Sequence, residues 1–377
     1  MNNNIRIGSL FGIPFYINPS WFLVLGLVTF SYGSGLTAQF PLLPGGLAWM
    51  LGLITALLLF ASVLAHELGH SLVALRQGVG VKSITLFLFG GLASLEKESK
   101  TPAEAFWVAI AGPLVSLLLF GTITALTTVT HVAGPLAAIL GTVAYINLVL
   151  ALFNLIPGLP LDGGNILKAI VWKVTGNPYK GIQFASRVGQ LFGWVAVISG
   201  LLPLILAGSF ANIWNLLIGG FLLQNAGRSA QYARLQDSLI GLTAADAVDP
   251  NGPIVSEQLS LREFADQRIL DRSHWRKFLV TNAMGQLIGT IAVEDLATIP
   301  STLWLERTVS ELVQPIEPST MVDRDRPLGD VINLLEERQL TAVPVVQTNG
   351  VLVGLLEKTA IIKLLDWQQR DRVGALC

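Results

Sequence analysis

The sequence predicts a polytopic α-helical membrane protein, about six transmembrane helices with a short membrane-associated sheet, followed by a soluble α+β domain. Three observations carry this. The 377 residues are 52% hydrophobic and only 13% charged, with a mean hydropathy of +0.61, whereas soluble chains average about 25% charged residues. The charge is also unevenly placed: residues 1–230 hold 15 of the 49 Asp, Glu, Lys and Arg side chains, and residues 231–377 hold the other 34. Finally, the polar part contains two similar halves. The expected division is therefore a membrane domain at 1–230 and a soluble domain at 231–377.

The apolar runs follow in order. The N-terminus has one Arg and mixed polarity with no small-residue cleavage site, so it reads as a retained first span rather than a cleaved signal. That span has its core at Trp21 to Phe30, with Phe15 to Ile17 available to extend it. Gly33, Gly35, Pro41 and Pro44 mark a loop. Leu47 to Leu75 is a second span, long enough to cross a bilayer with tilt. Between Gly78 and Leu95 the pattern becomes strand-like, with Val79, Val81, Ile84, Leu86 and Leu88 alternating until Gly90-Gly91 interrupts. A third span runs from Pro102 to Thr128 through the small residues and helix breaker of Ala111-Gly112-Pro113, and a fourth from Leu136 to Ile156. The segment Pro157 to Asn165, with two prolines and three glycines, reads as irregular and presents Asp162 in apolar surroundings. Lys168, Lys173, Lys180 and Arg187 read as loop punctuation before two shorter spans, Phe192–Leu206 and Ile213–Leu223.

Basic residues set the orientation. Arg76, Lys82, Lys97 and Lys100 follow span two, four more follow span four, and Arg228 and Arg234 follow span six. The loops on the other side (31–46, 129–135 and 207–212) carry no Lys or Arg. The N-terminus and the polar domain are thereby expected on the cytoplasmic side, and His66, His70 and Asp162 at the cytoplasmic half of the bilayer. Cys377 is the single cysteine, so no intramolecular disulfide forms, which suits a reducing compartment. A net charge of −1 gives no reason to expect nucleic acid as a partner.

The chemistry centres on His66-Glu67-Leu68-Gly69-His70 in the second span. Histidines four residues apart share one helix face, so both imidazoles can reach one ion, and Glu67 stands beside the first. Ionisable groups in such a helix are functional candidates by default. Zinc in catalytic sites takes three protein ligands and leaves a fourth position for water. Asp162 is the best third ligand, being the only acid between Glu104 and Asp237; its other reading is a loop acid bonded to backbone N–H groups. Zinc-activated water with Glu67 as general base would then hydrolyse a peptide bond. Asn154 reads either as a hydrogen-bond donor to the developing oxyanion or as a helix-packing residue.

These residues, with Phe89-Gly90-Gly91, Ala111-Gly112-Pro113 and Asn154-Leu155-Ile156-Pro157 through Leu161-Asp162-Gly163-Gly164, resemble the site-2 protease family of intramembrane zinc metalloproteases. The branch resembled carries a C-terminal pair of CBS domains, and the likeness covers nearly the whole chain. The resemblance implies one Zn2+ per chain with Asp162 as third ligand. It also implies a transmembrane helix of a membrane-protein substrate, unwound at the site and paired against the strand near Gly90 and Gly91. A bacterial plasma membrane is the location expected.

The polar halves, Ala247–Leu296 and Leu312–Ile362, each read as strand, helix, then two strands around a turn. The resemblance to a CBS pair implies adenine-nucleotide binding, for which the family's ending is G-h-h-[ST]-x-x-D. The first half keeps the acid, Asp295, but has Ala292 at the hydroxyl position, and the second half, Gly354 to Ala360, has neither. Dimerisation or substrate docking through this pair is the alternative. The rival reading of the whole is a CBS-regulated transporter or channel; a zinc-bound but catalytically silent scaffold is a third.

Overall fold

The computed structural model describes residues 4–87, 90–249, 252–271 and 275–374; Leu88, Phe89 and Cys377 fall outside them. The chain divides into two compact units, residues 1–234 and 235–377.

The first unit opens with a hairpin, β1 (Ile5–Leu10) and β2 (Ile13–Ile17), closed by Phe11 and Gly12. Both turn residues have positive φ, as a two-residue turn matched to strand twist requires. Phe15 to Ile17 therefore belong to β2 and do not extend the first span. Asn18 Oδ1 accepts from Ser20 N at 3.0 Å and starts α1 (Ser20–Gln39). The loop expected from Gly33 is confined to residues 40–44. Gly33 stays helical because Trp49 of α2 (Gly45–Arg76) packs onto it, 2.6 Å from where a Cβ would stand.

After α2 the chain forms β3 (Val81–Phe87) and β4 (Gly90–Leu95). The short sheet expected here exists, and it is larger than the sequence suggested. Its order is β1-β2-β3-β4, with β2 and β3 parallel and β4 at an edge. One face, Ile13, Phe15, Ile17, Ile84 and Leu86, is buried against Phe60, Val63, Leu64 and Leu68 of α2. The sheet thus covers the turn of α2 that carries the histidines.

Next come α3 (Pro102–Val129) and α4 (Gly134–Asn154), then α5 (Asp162–Thr175), α6 (Pro178–Ala207) and α7 (Ile213–Leu239). Among the described residues five helices, α1, α2, α3, α4 and α6, are long and apolar enough to cross a membrane, against about six expected. The sixth stretch, Ile213–Leu223, is the first part of α7, whose apolar run soon gives way to Gln224, Asn225 and Arg228. The outward faces of the long helices are apolar, as at Leu118, 69% exposed, and Leu206, 77% exposed. Residues 166–187, read as a loop, are α5 and the start of α6. Their charges lie along helices whose other faces bury Ala169 and Ala185.

Buried Asn147 of α4 donates to Ser62 Oγ of α2 at 2.9 Å, one turn before His66. Gly69 brings α2 against α3 so closely that a Cβ would stand 2.9 Å from the Ala111 carbonyl oxygen.

The second unit repeats one pattern. The first half has β5 (Ile254–Ser256), α8 (Leu261–Asp271), β6 (Lys277–Thr281) and β7 (Leu287–Ala292). The second has β8 (Val322–Asp323), α9 (Leu328–Glu337), β9 (Ala342–Val346) and β10 (Leu352–Glu357), with α10 (Lys358–Gly374) closing the chain. Each half forms a three-stranded sheet. The lead-in segments are exchanged: Ala244 and Ala247 join the core of the second half, and Val309 joins that of the first. At the start of α8, Ser260 Oγ and Ser260 N donate to Glu263 Oε2 at 2.9 and 3.1 Å, and these bonds hold the Glu263 carboxyl below its ordinary pKa.

Candidate active site

The structure brings three of the expected residues to one point. His66 Nε2 lies 3.0 Å and His70 Nε2 3.2 Å from Asp162 Oδ2, and the two Nε2 atoms are 3.3 Å apart. Residues 155–161 supply the approach of the third: they leave α4, and α5 begins at Asp162 itself. The acid is therefore at a helix start rather than in an irregular loop.

The donor set fits zinc. Bonds of about 2.0–2.1 Å in a tetrahedron put neighbouring ligand atoms about 3.3 Å apart, close to the three edges observed. The outer nitrogens fix the tautomers. His70 Nδ1 is 2.6 Å from the Val108 carbonyl oxygen, which can only accept, so Nδ1 bears the proton and a neutral ring keeps its Nε2 lone pair. His66 Nδ1 is 3.0 Å from Ser116 Oγ in a fully buried contact. At Gly112, between these two partners on α3, a Cβ would strike His70 Nε2 and stand 2.7 Å from His66 Nε2. The absent side chain leaves room where an ion would sit.

Glu67 meets the edge strand. Its carboxylate accepts from the Ala93 N–H, and at Gly91 a Cβ would run into its Cγ and stand 3.0 Å from Oε1. Gly90 has φ +135°, a conformation that suits glycine, but it is not among the residues lining the site.

A cavity of about 320 Å³ opens from these groups, walled by Gly91 to Ala93 of β4, Val108 and Ala109 of α3, and Asn165 and Lys168 of α5. Asn154 also lines it while donating from Nδ2 to Leu150 O one turn back at 3.1 Å. Asp295 belongs to the other unit. Its Oδ2 accepts from Ala292 N at 2.8 Å and its Oδ1 from Gln314 Nε2 at 3.1 Å.

Sequence reasoning missed Val108, Ser116 and Lys168. A signal for the first two existed: 108, 112 and 116 fall one turn apart on α3, around the glycine already noted.

Fold and site together define a polytopic membrane metallopeptidase. Comparison with known proteins gives the family. Peptidase family M50 matches at residues 54–133 and 119–196, and the CBS domain at 309–366. The Synechocystis sp. protein sll0528, named as a candidate zinc metalloprotease, is 58% identical over 365 residues, covering 97% of this chain and 96% of that one. Zinc metalloprotease MJ0392 of Methanocaldococcus jannaschii is 29% identical over 97% of each chain. Among solved structures, the site-2 protease from Methanocaldococcus jannaschii is 31% identical, covers 60% of this chain and 95% of its own, and superposes with a TM-score of 0.43.

The chain belongs to peptidase family M50, the site-2 proteases. It is an integral membrane zinc metallopeptidase with a CBS region, not a transporter or channel. Zinc is the metal its relatives imply.

Proposed function

We propose that this chain is an intramembrane endopeptidase that hydrolyses a peptide bond in or near a transmembrane helix, with residues 1–230 as the protease and 231–377 as a regulatory CBS pair. The observation that carries this is the triangle of His66 Nε2, His70 Nε2 and Asp162 Oδ2, with edges of 3.0 to 3.3 Å, beside Glu67. These three side chains would hold the ion. When bound, zinc polarises a carbonyl and makes water more acidic.

Every other step falls to the protein. The substrate segment, unwound, lies along the open edge of β4, where backbone N–H and C=O groups can pair with it. The missing Cβ at Gly91 lets Glu67 reach the attacking water. Glu67 takes the water's proton as oxygen bonds to the carbonyl carbon, and passes it to the amine as the C–N bond breaks. Asn154 keeps one side-chain N–H beyond the bond to Leu150 and offers it to the oxygen that gains charge.

The distribution of Lys and Arg supports a cytoplasmic N-terminus and cytoplasmic CBS pair, with the apolar first half of α7 as the sixth crossing. A bacterial plasma membrane fits this plan. An adenine nucleotide at the CBS pair would have to take Asp295 from Gln314, whose amide it holds; dimerisation through the pair needs no such exchange.

Purified wild type and Glu67→Gln, assayed together for zinc content and for cleavage of a reporter transmembrane helix, test this reading. Equal zinc with cleavage only by the wild type supports it. Carefully prepared wild type without zinc overturns it.

A further inference from the structure

Among the described residues lining the cavity, Lys168 is the single cation. It lies on α5 beyond the third ligand, on the same side as Asp162, Asn165 and Trp172. Its side chain is 17% exposed, and its Nζ faces Glu98 Oε2 across 3.7 Å. Glu98 stands on the loop between β4 and α3, itself 63% exposed. The pair therefore joins two walls of the cavity at its watery end, and it is long and weak. A half-buried ammonium held by so loose a partner is available to a better-placed carboxylate.

We infer that Lys168 is a specificity-determining residue that receives an acidic side chain of the substrate in place of Glu98. This rests on the peptidase reading above and extends it to the choice of substrate. Geometry sets the position. Six residues of helix separate Asp162 from Lys168, about 9 Å of rise, and a strand advances about 3.3 Å per residue. A substrate lying between β4 and α5 then brings the residue about three positions from the scissile bond opposite Lys168. The acid belongs on the side leading toward Glu98, where the cavity meets water. A carboxylate is tolerable in a substrate helix at that boundary, unlike one at the membrane centre.

The test uses the full-length protein, zinc-loaded, with reporter transmembrane segments carrying one Glu or its Gln counterpart at each position within about five residues of the scissile bond. The wild type should cleave the Glu substrate about fivefold to tenfold more efficiently in kcat/KM at one position, about three residues away on one side only. Lys168→Gln should flatten that profile, and Lys168→Glu should invert it, so that Lys at the same substrate position is now preferred. Zinc content and thermal stability confirm that each variant is folded. Glu98→Lys combined with Lys168→Glu keeps an ion pair across the cavity, so it should still prefer a basic substrate residue if a stable Lys168→Glu protein cannot be obtained. Cleavage that is independent of substrate charge, or a profile unchanged by Lys168→Gln, overturns the inference and leaves the peptidase standing. A wild type that binds zinc but cleaves no substrate in the set overturns both.

Discussion

The Nδ1 atom of His70 lies 2.6 Å from the carbonyl oxygen of Val108, and this contact decides which nitrogen of the ring is free. A carbonyl has no proton to give, so Nδ1 must be the donor. Val108, Gly112 and Ser116 succeed one another by one turn along α3, facing His70, both Nε2 atoms and His66 in that order. The crossing of α2 and α3 is therefore the frame in which the two imidazoles are aimed.

Ser116 can be altered where the Val108 carbonyl cannot. Removing its hydroxyl leaves His66 Nδ1 without its buried partner. Loss of such an outer contact typically weakens metal affinity or activity by about 10- to 100-fold. Ser116→Ala should therefore bind zinc at least about tenfold more weakly than wild type, measured by competition with a metal indicator. Unchanged affinity would mean that α3 does not orient His66.

Gly112 makes a sharper demand. An alanine there places a methyl group against His70 Nε2 and His66 Nε2. Gly112→Ala should fold, since alanine favours helices more than glycine does by about 1 kcal/mol, yet lose zinc. Thermal unfolding and metal analysis of the same preparation separate the two effects. Full zinc occupancy would show that no ion sits between these nitrogens.

Gly91→Ala should do the reverse. Its Cβ would displace the Glu67 side chain while the three ligand atoms stay where they are. Zinc content should match wild type, and kcat should fall about 100-fold or more, the usual contribution of a positioned general base. A variant that loses zinc and activity together would place the effect of Gly91 on the metal ligands instead.

How much of this was legible beforehand follows from what each feature depends on. The histidine pair could be read because helix geometry alone relates residues four apart. The strand at Val81–Phe87 announced itself by alternation, whereas β4 starts at Gly90, where that alternation breaks off, and β1 and β2 gave no such signal. The pairing of β2 with β3 is parallel and crosses more than sixty residues of chain, as Phe15 with Ile84 shows, and no local pattern encodes it. Residues 166–187 misled because charges on a helix face look like loop punctuation until the buried side, with Ala169 and Ala185, is known. The Lys168–Glu98 pair joins residues seventy apart on separate elements, so nothing local revealed it.

A polar contact with α4 helps to hold α2 in place. Asn147 of α4 donates to Ser62 Oγ and to the Val143 carbonyl, both in buried surroundings. Hydrogen bonds between helices in a membrane contribute about 0.6 kcal/mol on average and at most about 1.7, because the separated helices find other partners. Asn147→Ala should thus destabilise the protein by about 1 kcal/mol, since it also opens a small cavity in a packed interface. Ser62→Ala should cost less: it loses the bonds to Asn147 and to the Leu58 carbonyl but removes a single oxygen and opens almost no cavity. In a double-mutant cycle the two effects should fall short of additivity by the energy of the shared bond. Unfolding in detergent measures this, and zinc content at room temperature should be that of wild type. Strict additivity would show that the two side chains stabilise α2 independently, leaving the depth of His66, one turn beyond Ser62, to packing alone.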